Sequence, residues 1–346
     1  MTGPAERVPC SAQPLGRLAE VRVAGALPAH AIPTRADWRK DKVELTDMGE
    51  AALTEPFYNM TLARMHEKET PRRFAGSRGA LISLAAAERL PPPAAFVFHT
   101  GRCGSTLLAN MLAGHPDLRV IKEPEILNKL LVRRPGDHDA LDALLRVFSR
   151  GLGPDQGTVV KLSSWNTVAI ERFLMVFPTA PAVFLWREAA PVVASCLAAP
   201  PAWRLGRELL ALMDAWASLP DVDADPVGMY AGAWLAPVTA ALAAAEVFGE
   251  RVTVLSYDEL CAAPRHVLAD VAARIGVSFP DPLAREIVAS TTRTYSKDPD
   301  GQAVFDPAVK HARTPLGDAD LARVAELTGE AVARLRAMRP GYAAAS

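Results

Sequence analysis

The chain has 346 residues, half of them hydrophobic and 22% charged, so it is long and apolar enough to bury a large core. Its net charge of −1 gives no overall attraction to nucleic acid or to an anionic membrane, so an anion site must be a local group of basic residues. The four cysteines, at 10, 103, 196 and 261, include no CxxC pair. We therefore expect neither a zinc site nor a disulfide framework, and no nucleic-acid partner.

The first 93 residues differ from the rest and are predicted to form an extension packed on the main domain. They carry scattered apolar positions and a helix-like stretch at 60–68, and they end at the chain-breaking prolines 91–93. No apolar segment follows a basic start at the N-terminus, so we see no secretory signal and expect a cytoplasmic protein.

From residue 94 onward, short apolar runs alternate with helical patterns. The runs have the continuous apolar character of strands that are buried on both faces. This alternation predicts an α/β fold over 94–346, with a central parallel sheet between two layers of helices. Ligands of such folds collect at the carboxyl ends of the strands. The predicted strands are 94–99, 157–163, 181–187 and 251–257.

Residues 226–245 carry no charge over about the length that spans a bilayer. The stretch is rich in alanine, contains two glycines and two prolines, and has acidic residues on its flanks. We interpret it as a buried helix rather than an integral membrane span.

The segment HTGRCGST at 99–106 joins a predicted strand to a predicted helix. Gly101 and Gly104 allow close approach of the backbone, and Ser105 and Thr106 open the helix. Their N–H groups, their hydroxyls and the helix dipole point at any anion in the turn. The alternative is a strand-to-helix turn whose small residues serve packing alone.

Two other kinds of anion loop do not fit this segment. A nucleotide triphosphatase loop has a longer spacing and a lysine before the Ser or Thr, and both are missing here. A phosphatase loop that begins at Cys103 would need an arginine where Leu108 stands. Magnesium-ATP chemistry is therefore disfavoured.

A second basic segment follows the third predicted strand. Arg187 stands at the end of that strand, and Ser195 comes eight residues later within a predicted helix. An arginine at a strand end and a helical serine can hold one phosphate from two directions. Each residue alone also has an ordinary interpretation, as a solvated charge or a small packing residue.

Together these segments resemble the sulfotransferases that use 3′-phosphoadenosine 5′-phosphosulfate (PAPS), especially the bacterial and carbohydrate-type branch. Residues 102–106 match the first motif of that family, with Arg102 where many members have lysine. Arg187 and Ser195, with Pro191 between them, match the second motif, and 251–277 resembles a late strand, turn and helix. The resemblance covers about residues 94–277 and implies a P-loop-type fold.

The resemblance implies transfer of a sulfuryl group from PAPS to a hydroxyl or amine of a small-molecule, lipid or sugar acceptor, with no metal required. Arg102 would stabilise the charge that develops on the bridging oxygen, and Lys161, at the end of a strand, would touch the phosphosulfate. The implied donor-binding residues are Arg102, Cys103, Gly104, Ser105, Thr106, Arg187, Ser195 and Lys297.

Glu123 is the implied general base, because related enzymes place a catalytic carboxylate in a Glu-Pro context. Partial burial is expected to raise its pKa toward neutrality. Glu125 is the second choice, and an ordinary ion pair of Glu123 with Lys122 or Lys129 is the alternative. Many members of the family use a histidine near the position of Ser163, but residues 139–265 contain none.

Further cationic, aromatic and histidine residues stand outside these motifs. Arg293 and Lys297 are late cations that could close over the 3′-phosphate, although the Arg-Lys-Gly signature of the family is missing. Trp165 is left out of the donor site as a core residue. His99 and His115 have no second ligand at metal spacing and are interpreted as structural.

Acceptor choice is expected to depend on the N-terminal extension and on 197–230, a Pro- and Trp-containing stretch that could form a lid. Its apolar content favours a hydrophobic or aromatic acceptor. The rival functions are a P-loop small-molecule kinase and a catalytically inactive nucleotide-binding protein. The sequence leaves the acceptor and the oligomeric state open.

Overall fold

The described residues before the prolines at 91–93 form a small sheet and two helices. The computed structural model describes residues 27–49, 53, 55–68, 71–201, 224–293 and 316–338. The sheet is antiparallel in the order β1-β2-β3. The predicted helix at 60–68 is confirmed, whereas the strands were not predicted. The elements are β1 (Ala31–Asp37), β2 (Lys42–Asp47), α1 (Tyr58–Lys68), β3 (Arg73–Gly76) and α2 (Arg78–Ala87).

Two side chains tie this sheet to the rest of the chain. The Trp38 indole donates a hydrogen bond to the carbonyl of Ile126 at 3.0 Å. Arg150 is buried, forms a two-pronged pair with Glu88, and donates to the carbonyls of Pro28 and Ala31 at 3.0 and 2.6 Å. Apolar residues of β1 and β2 belong to the same hydrophobic cluster as those of the central sheet. The domain boundary at 93 stays a prediction.

The predicted α/β fold with a central parallel sheet is confirmed. All four predicted strands form, and one more, β5, comes from a short apolar run that sequence analysis did not assign to a strand. The five strands are parallel throughout and lie in the order β5-β6-β4-β7-β8. They are β4 (Ala95–His99), β5 (Leu118–Lys122), β6 (Gly157–Lys161), β7 (Ala182–Trp186) and β8 (Val252–Ser256).

Helices cover both faces of this sheet. On β4, Phe96 and Phe98 join one hydrophobic cluster, while Ala95 and Val97 join the other, as alternation along a doubly buried strand requires. The helices are α3 (Ser105–Ala113), α4 (Glu125–Arg133), α5 (His138–Val147), α6 (Ile170–Val176), α7 (Ala189–Ala198), α8 (Pro226–Phe248), α9 (Tyr257–Ala262), α10 (Pro264–Ile275), α11 (Asp281–Arg293) and α12 (Asp318–Ala337), with a 3-10 helix at Ser164–Ala169 before α6.

Helix α8 contains the uncharged stretch 226–245. Its length and hydropathy would also suit a membrane span, but half of the apolar window is buried within the fold. Met229, Trp234 and Val238 are among its core residues. The cytoplasmic location stays a prediction.

The sheet topology brings the candidate residues to one edge. Strand β4 pairs with β6 on one side and β7 on the other, so the order of connections reverses at β4. The carboxyl edge of a sheet at such a switch point is where α/β folds bind ligands. His99, Lys122, Lys161, Arg187 and Tyr257 are the last residues of these five strands or directly follow them.

Candidate functional site

The loop between β4 and α3, residues 99–106 and called the anion loop after its predicted role, is bent by left-handed residues. Gly101, Arg102 and Gly104 have φ values of +81°, +53° and +81°. Left-handed residues turn successive N–H groups toward one side of a loop. Gly104 also has no room for a side chain, because a Cβ there would lie 2.9 Å from Cδ2 of Tyr257. The loop therefore requires glycine at this position for two reasons.

The first residues of α3 act mainly through their backbone. Ser105 and Thr106 are buried, and Gly104, the N-cap, has no side chain to satisfy the helix N–H groups. Cys103 is fully buried, and its thiol donates to the carbonyl of Leu185 at 3.2 Å. Burial acts to raise the pKa of Cys103, but His99 and neighbouring hydrogen bonds hold it below its ordinary value.

Arg102 connects the loop to the helix that carries Ser195. Its guanidinium donates to the carbonyl of Ala199 at 2.7 Å, just beyond the end of α7. Ser195 lies one turn earlier, and its own carbonyl accepts from the N–H of Ala199. The structure thus brings the two predicted motifs to one place, although Ser195 shares no direct hydrogen bond with Arg102.

Arg187 faces the loop rather than solvent. Its side chain is 3% exposed, lies 4.5 Å over the ring of Tyr257, and donates to the carbonyl of Arg102 at 3.4 Å. The Trp234 indole donates to the carbonyl of Arg187 at 2.8 Å and fixes the strand end. Burial raises the pKa of Tyr257 above its ordinary value, so the ring stays neutral beneath the cation. The interpretation of Arg187 as a solvated charge is wrong.

Glu123 and Lys161 form an ion pair at the ends of β5 and β6. Lys161 is 0% exposed, whereas one fifth of the Glu123 side chain is exposed. Glu123 has a left-handed backbone, with φ +52°, and its N–H donates to the carbonyl of Lys161 at 2.7 Å. A non-glycine residue in this region is strained. Both the backbone and the side chain of Glu123 are therefore held by Lys161.

The expectation of a raised pKa at Glu123 is wrong. Burial acts to raise the pKa, but the positive charge of Lys161 and its hydrogen bond to the carboxylate outweigh it and hold the pKa well below its ordinary value. The alternative partners are also wrong, since Lys129 pairs with Glu125 at 2.5 Å and Lys122 bonds elsewhere. Glu123 is therefore a carboxylate throughout the neutral range.

Glu125, the second candidate base, is half exposed. It accepts a hydrogen bond from Asn59 at 2.6 Å in addition to the Lys129 pair. Its contacts are those of a surface residue near the start of α4, and neither Asn59 nor Lys129 belongs to the anion loop.

Lys122 is a second buried lysine beside Lys161, which is its partner in the β5-β6 register. Its ammonium group donates to Oδ1 of Asn110, on α3, at 2.8 Å and to the carbonyl of Glu55 at 3.2 Å. Burial and the charge of Lys161 lower its pKa to about 8. Sequence analysis did not assign Lys122 to the site, because the residues around Lys122 do not indicate its contact with Asn110.

A cluster of amides fixes the segment after β6 against α4. Asn128 donates to the hydroxyl of Ser163 at 3.0 Å, and Asn166 donates to Oδ1 of Asn128 at 2.6 Å. These bonds hold the chain that follows Lys161 next to the chain that follows Glu123. Ser163 is thus part of this cluster.

His99, which sequence analysis interprets as structural, is bonded through both ring nitrogens. Its Nδ1 accepts from the N–H of Gly101 at 2.9 Å, and its Nε2 lies 2.9 Å from the carbonyl of Leu162 and 3.7 Å from Oε1 of Glu123. Its place at a strand end, directly before the loop, was the signal available in the sequence. His115 is structural, as expected, with bonds to Asp117 and Ser278.

Some predicted features lie outside the described residues. They include Lys297, the side chain of Arg293, and residues 202–223 of the predicted lid. Within the described ranges, no group of three or more His, Cys, Asp or Glu side chains stands close enough together to hold a metal ion.

Comparisons with known proteins find likeness in solved structures only. No family model matches the chain, and no curated protein matches it. A sulfotransferase from Alicyclobacillus acidocaldarius is 20% identical, with a TM-score of 0.46, over 72% of this chain and 96% of that one.

Two further structures give similar values. A sulfotransferase from Mycobacterium avium is 16% identical, with a TM-score of 0.47, over 74% of this chain and 80% of that one. A mouse sulfotransferase complexed with PAP is 14% identical, with a TM-score of 0.40, over 74% of this chain and 91% of that one. These structural neighbours are sulfotransferases. At such identities and TM-scores, the function must be argued from the residues of the site.

The ion pair gives a stability prediction. The Glu123→Gln variant leaves Lys161 buried without its counter-charge. We expect the free energy of unfolding of this variant to be about 3 kcal/mol lower than that of wild type at pH 7. Urea denaturation measures the loss. Because the folded pKa of Glu123 is lowered, its contribution is present above about pH 4.5 and is lost as the pH falls further.

Two controls sharpen this test. Glu125→Gln removes the exposed pair with Lys129 and should lower the free energy of unfolding by less than about 0.5 kcal/mol. Adding Lys161→Met to Glu123→Gln should restore part of the stability, because the unpaired charge is removed. Equal effects of the two single variants would contradict a buried ion pair at Glu123.

Proposed function

We propose that the protein is a PAPS-dependent sulfotransferase that acts on a hydroxyl or amine of a small-molecule, lipid or sugar acceptor. One observation carries the proposal: Arg102 lies in the loop that follows β4, Arg187 bonds to that loop, and the neighbouring strand β6 ends at Lys161, which is paired with the carboxylate of Glu123. This arrangement combines anion binding with a group that can accept a proton.

The donor would lie across the loop and α7, between Arg187, which precedes the helix, and Ser195 in its last turns. The N–H groups that open α3, with the guanidinium of Arg102, suit the 5′-phosphosulfate. Ser195 and Arg187 are proposed for the 3′-phosphate, and the contact between Arg102 and Ala199 supports a site that joins both motifs. Lys297 is proposed as a further cation over this phosphate.

Sulfuryl transfer breaks the bond between sulfur and the bridging oxygen of the donor and forms a bond from sulfur to the acceptor oxygen or nitrogen. Negative charge builds on the bridging oxygen as it leaves. Arg102 and Lys161 are the cations proposed to stabilise that charge, and one such donor is typically worth about 3 to 4 kcal/mol. The acceptor proton goes to the Glu123 carboxylate.

The pairing of Glu123 with Lys161 sets a condition on this last step. While Lys161 bonds to it, the carboxylate has too low a pKa to be an effective base. A bound phosphosulfate offers Lys161 a second anion. As Lys161 turns toward the donor, the proton affinity of Glu123 rises, so the base gains strength when the donor is in place.

Binding and transfer assays test the proposal. Calorimetric titration should show that 3′,5′-bisphosphoadenosine binds more tightly than ADP, with no need for magnesium. Incubation of PAPS with lysate metabolites should produce a mass gain of one SO3. The Glu123→Gln variant should bind the bisphosphate at least as well, because a negative charge is removed, while losing transfer.

The rival functions predict other results. Preference for ADP with magnesium would indicate a small-molecule kinase and contradict the proposal. Tight bisphosphate binding without transfer to any metabolite, by both wild type and Glu123→Gln, would indicate a binding protein that lacks catalysis.

The role of Arg187 can be separated from support of the loop. If Arg187 binds the 3′-phosphate, the Arg187→Ala variant should bind 3′,5′-bisphosphoadenosine about tenfold or more weakly than wild type. Its binding of 5′-AMP should fall much less, and calorimetry measures both affinities. Equal losses for both nucleotides would mean that Arg187 acts only through its contact with the Arg102 carbonyl.

A further inference from the structure

His99 lies between the anion loop and the Glu123–Lys161 pair. Its ring is almost fully buried. The backbone N–H of His99 donates to the hydroxyl of Thr167 at 3.3 Å, and this hydroxyl donates to the backbone carbonyl of His99 at 3.2 Å. The backbone and the ring are therefore both fixed. None of the steps proposed above uses this residue.

The bonds of the ring determine its protonation. A backbone N–H can only donate, so the Nδ1 atom that accepts from Gly101 carries no proton. A carbonyl can only accept, so the Nε2 atom facing Leu162 carries the proton and donates. Both contacts select the same neutral form of the imidazole.

The two bonds join the two halves of the site. Gly101 has a left-handed backbone and precedes Arg102 in the loop, and its N–H is held by the ring. Leu162 follows Lys161 directly, so the opposite side of the ring is bonded to the end of β6. The edge that carries Nε2 stands 3.7 Å from Oε1 of Glu123.

We propose that His99 is a positioning residue that fixes the anion loop relative to the Glu123–Lys161 pair. The inference rests on the proposed function, in which the loop binds the donor and Glu123 accepts the proton of the acceptor. By holding the N–H of Gly101, the ring keeps the loop in its left-handed conformation. The other N–H groups and Arg102 then face the phosphosulfate at a set distance from the base.

Two substitutions separate the two sides of the ring. In His99→Asn, the side-chain oxygen is as many bonds from Cα as Nδ1 and can accept from Gly101. In His99→Gln, the side-chain nitrogen matches Nε2 and can donate to Leu162, but nothing replaces the acceptor at Nδ1. We expect His99→Asn to keep bisphosphate binding within about threefold and His99→Gln to lose about tenfold or more.

His115 provides the matched control. It is also buried, its Nδ1 accepts from the N–H two residues later, of Asp117, and its Nε2 donates to the carbonyl of Ser278. His115→Gln therefore breaks the same kind of local bond away from the loop. It should lower the unfolding temperature about as much as His99→Gln and leave bisphosphate binding unchanged.

Amide exchange of Gly101 gives a readout that needs no ligand. In glycine-labelled protein followed by NMR, His99→Gln should accelerate this exchange, whereas His99→Asn and His115→Gln should not. Unchanged exchange and binding in His99→Gln would overturn the inference, and so would equal binding losses in His99→Gln and His115→Gln.

Failure of the proposed function gives a different pattern. Wild type would then not bind the bisphosphate, while the exchange of Gly101 would still distinguish His99→Gln from His99→Asn. Binding by wild type with equal exchange in both His99 variants would leave the function standing and reject the role of His99.

Discussion

A fully buried lysine constrains the whole site. An ammonium group without water is costly unless an anion stands beside it, and Glu123 is the anion that Lys161 has. To meet it, Glu123 adopts a left-handed backbone at the end of β5, and its N–H bonds to the carbonyl of Lys161. The backbone strain is tolerated because Lys161, at the end of the neighbouring strand, bonds to both the backbone N–H and the carboxylate of Glu123.

The parallel sheet places the other groups around this pair. Parallel strands end at a common edge, so residues distant in sequence, such as Arg187 and Lys161, come to the same side of the sheet. The anion loop follows the central strand and therefore has the ion pair on one side and Arg187 on the other. Lys122 adds a second buried cation and ties β5 to α3 through Asn110. Positive charge is thus concentrated locally in a chain whose net charge is close to zero.

Much of this could be predicted from the sequence, and the failures have physical reasons. Continuous apolar runs predicted four strands, and the glycines of 99–106 predicted the loop, while a shared role of Arg187 and Ser195 stays a prediction. Strand β5 was missed because Arg119 and Lys122 interrupt its apolar pattern. The N-terminal sheet was missed because its strands mix polar and apolar residues. The pKa of Glu123 and the role of His99 depend on contacts between strand ends, which no local pattern contains.

Under the proposed function, Lys161 is shared between Glu123 and a bound phosphosulfate. The most direct measurement is an NMR titration of the Glu123 carboxyl in glutamate-labelled protein, with the signal assigned by its loss in Glu123→Gln. If Lys161 is shared in this way, the carboxyl pKa is low without ligand and rises on addition of PAPS. A pKa that stays the same on PAPS binding would mean that Lys161 never leaves Glu123, and would reject the shared role of this lysine.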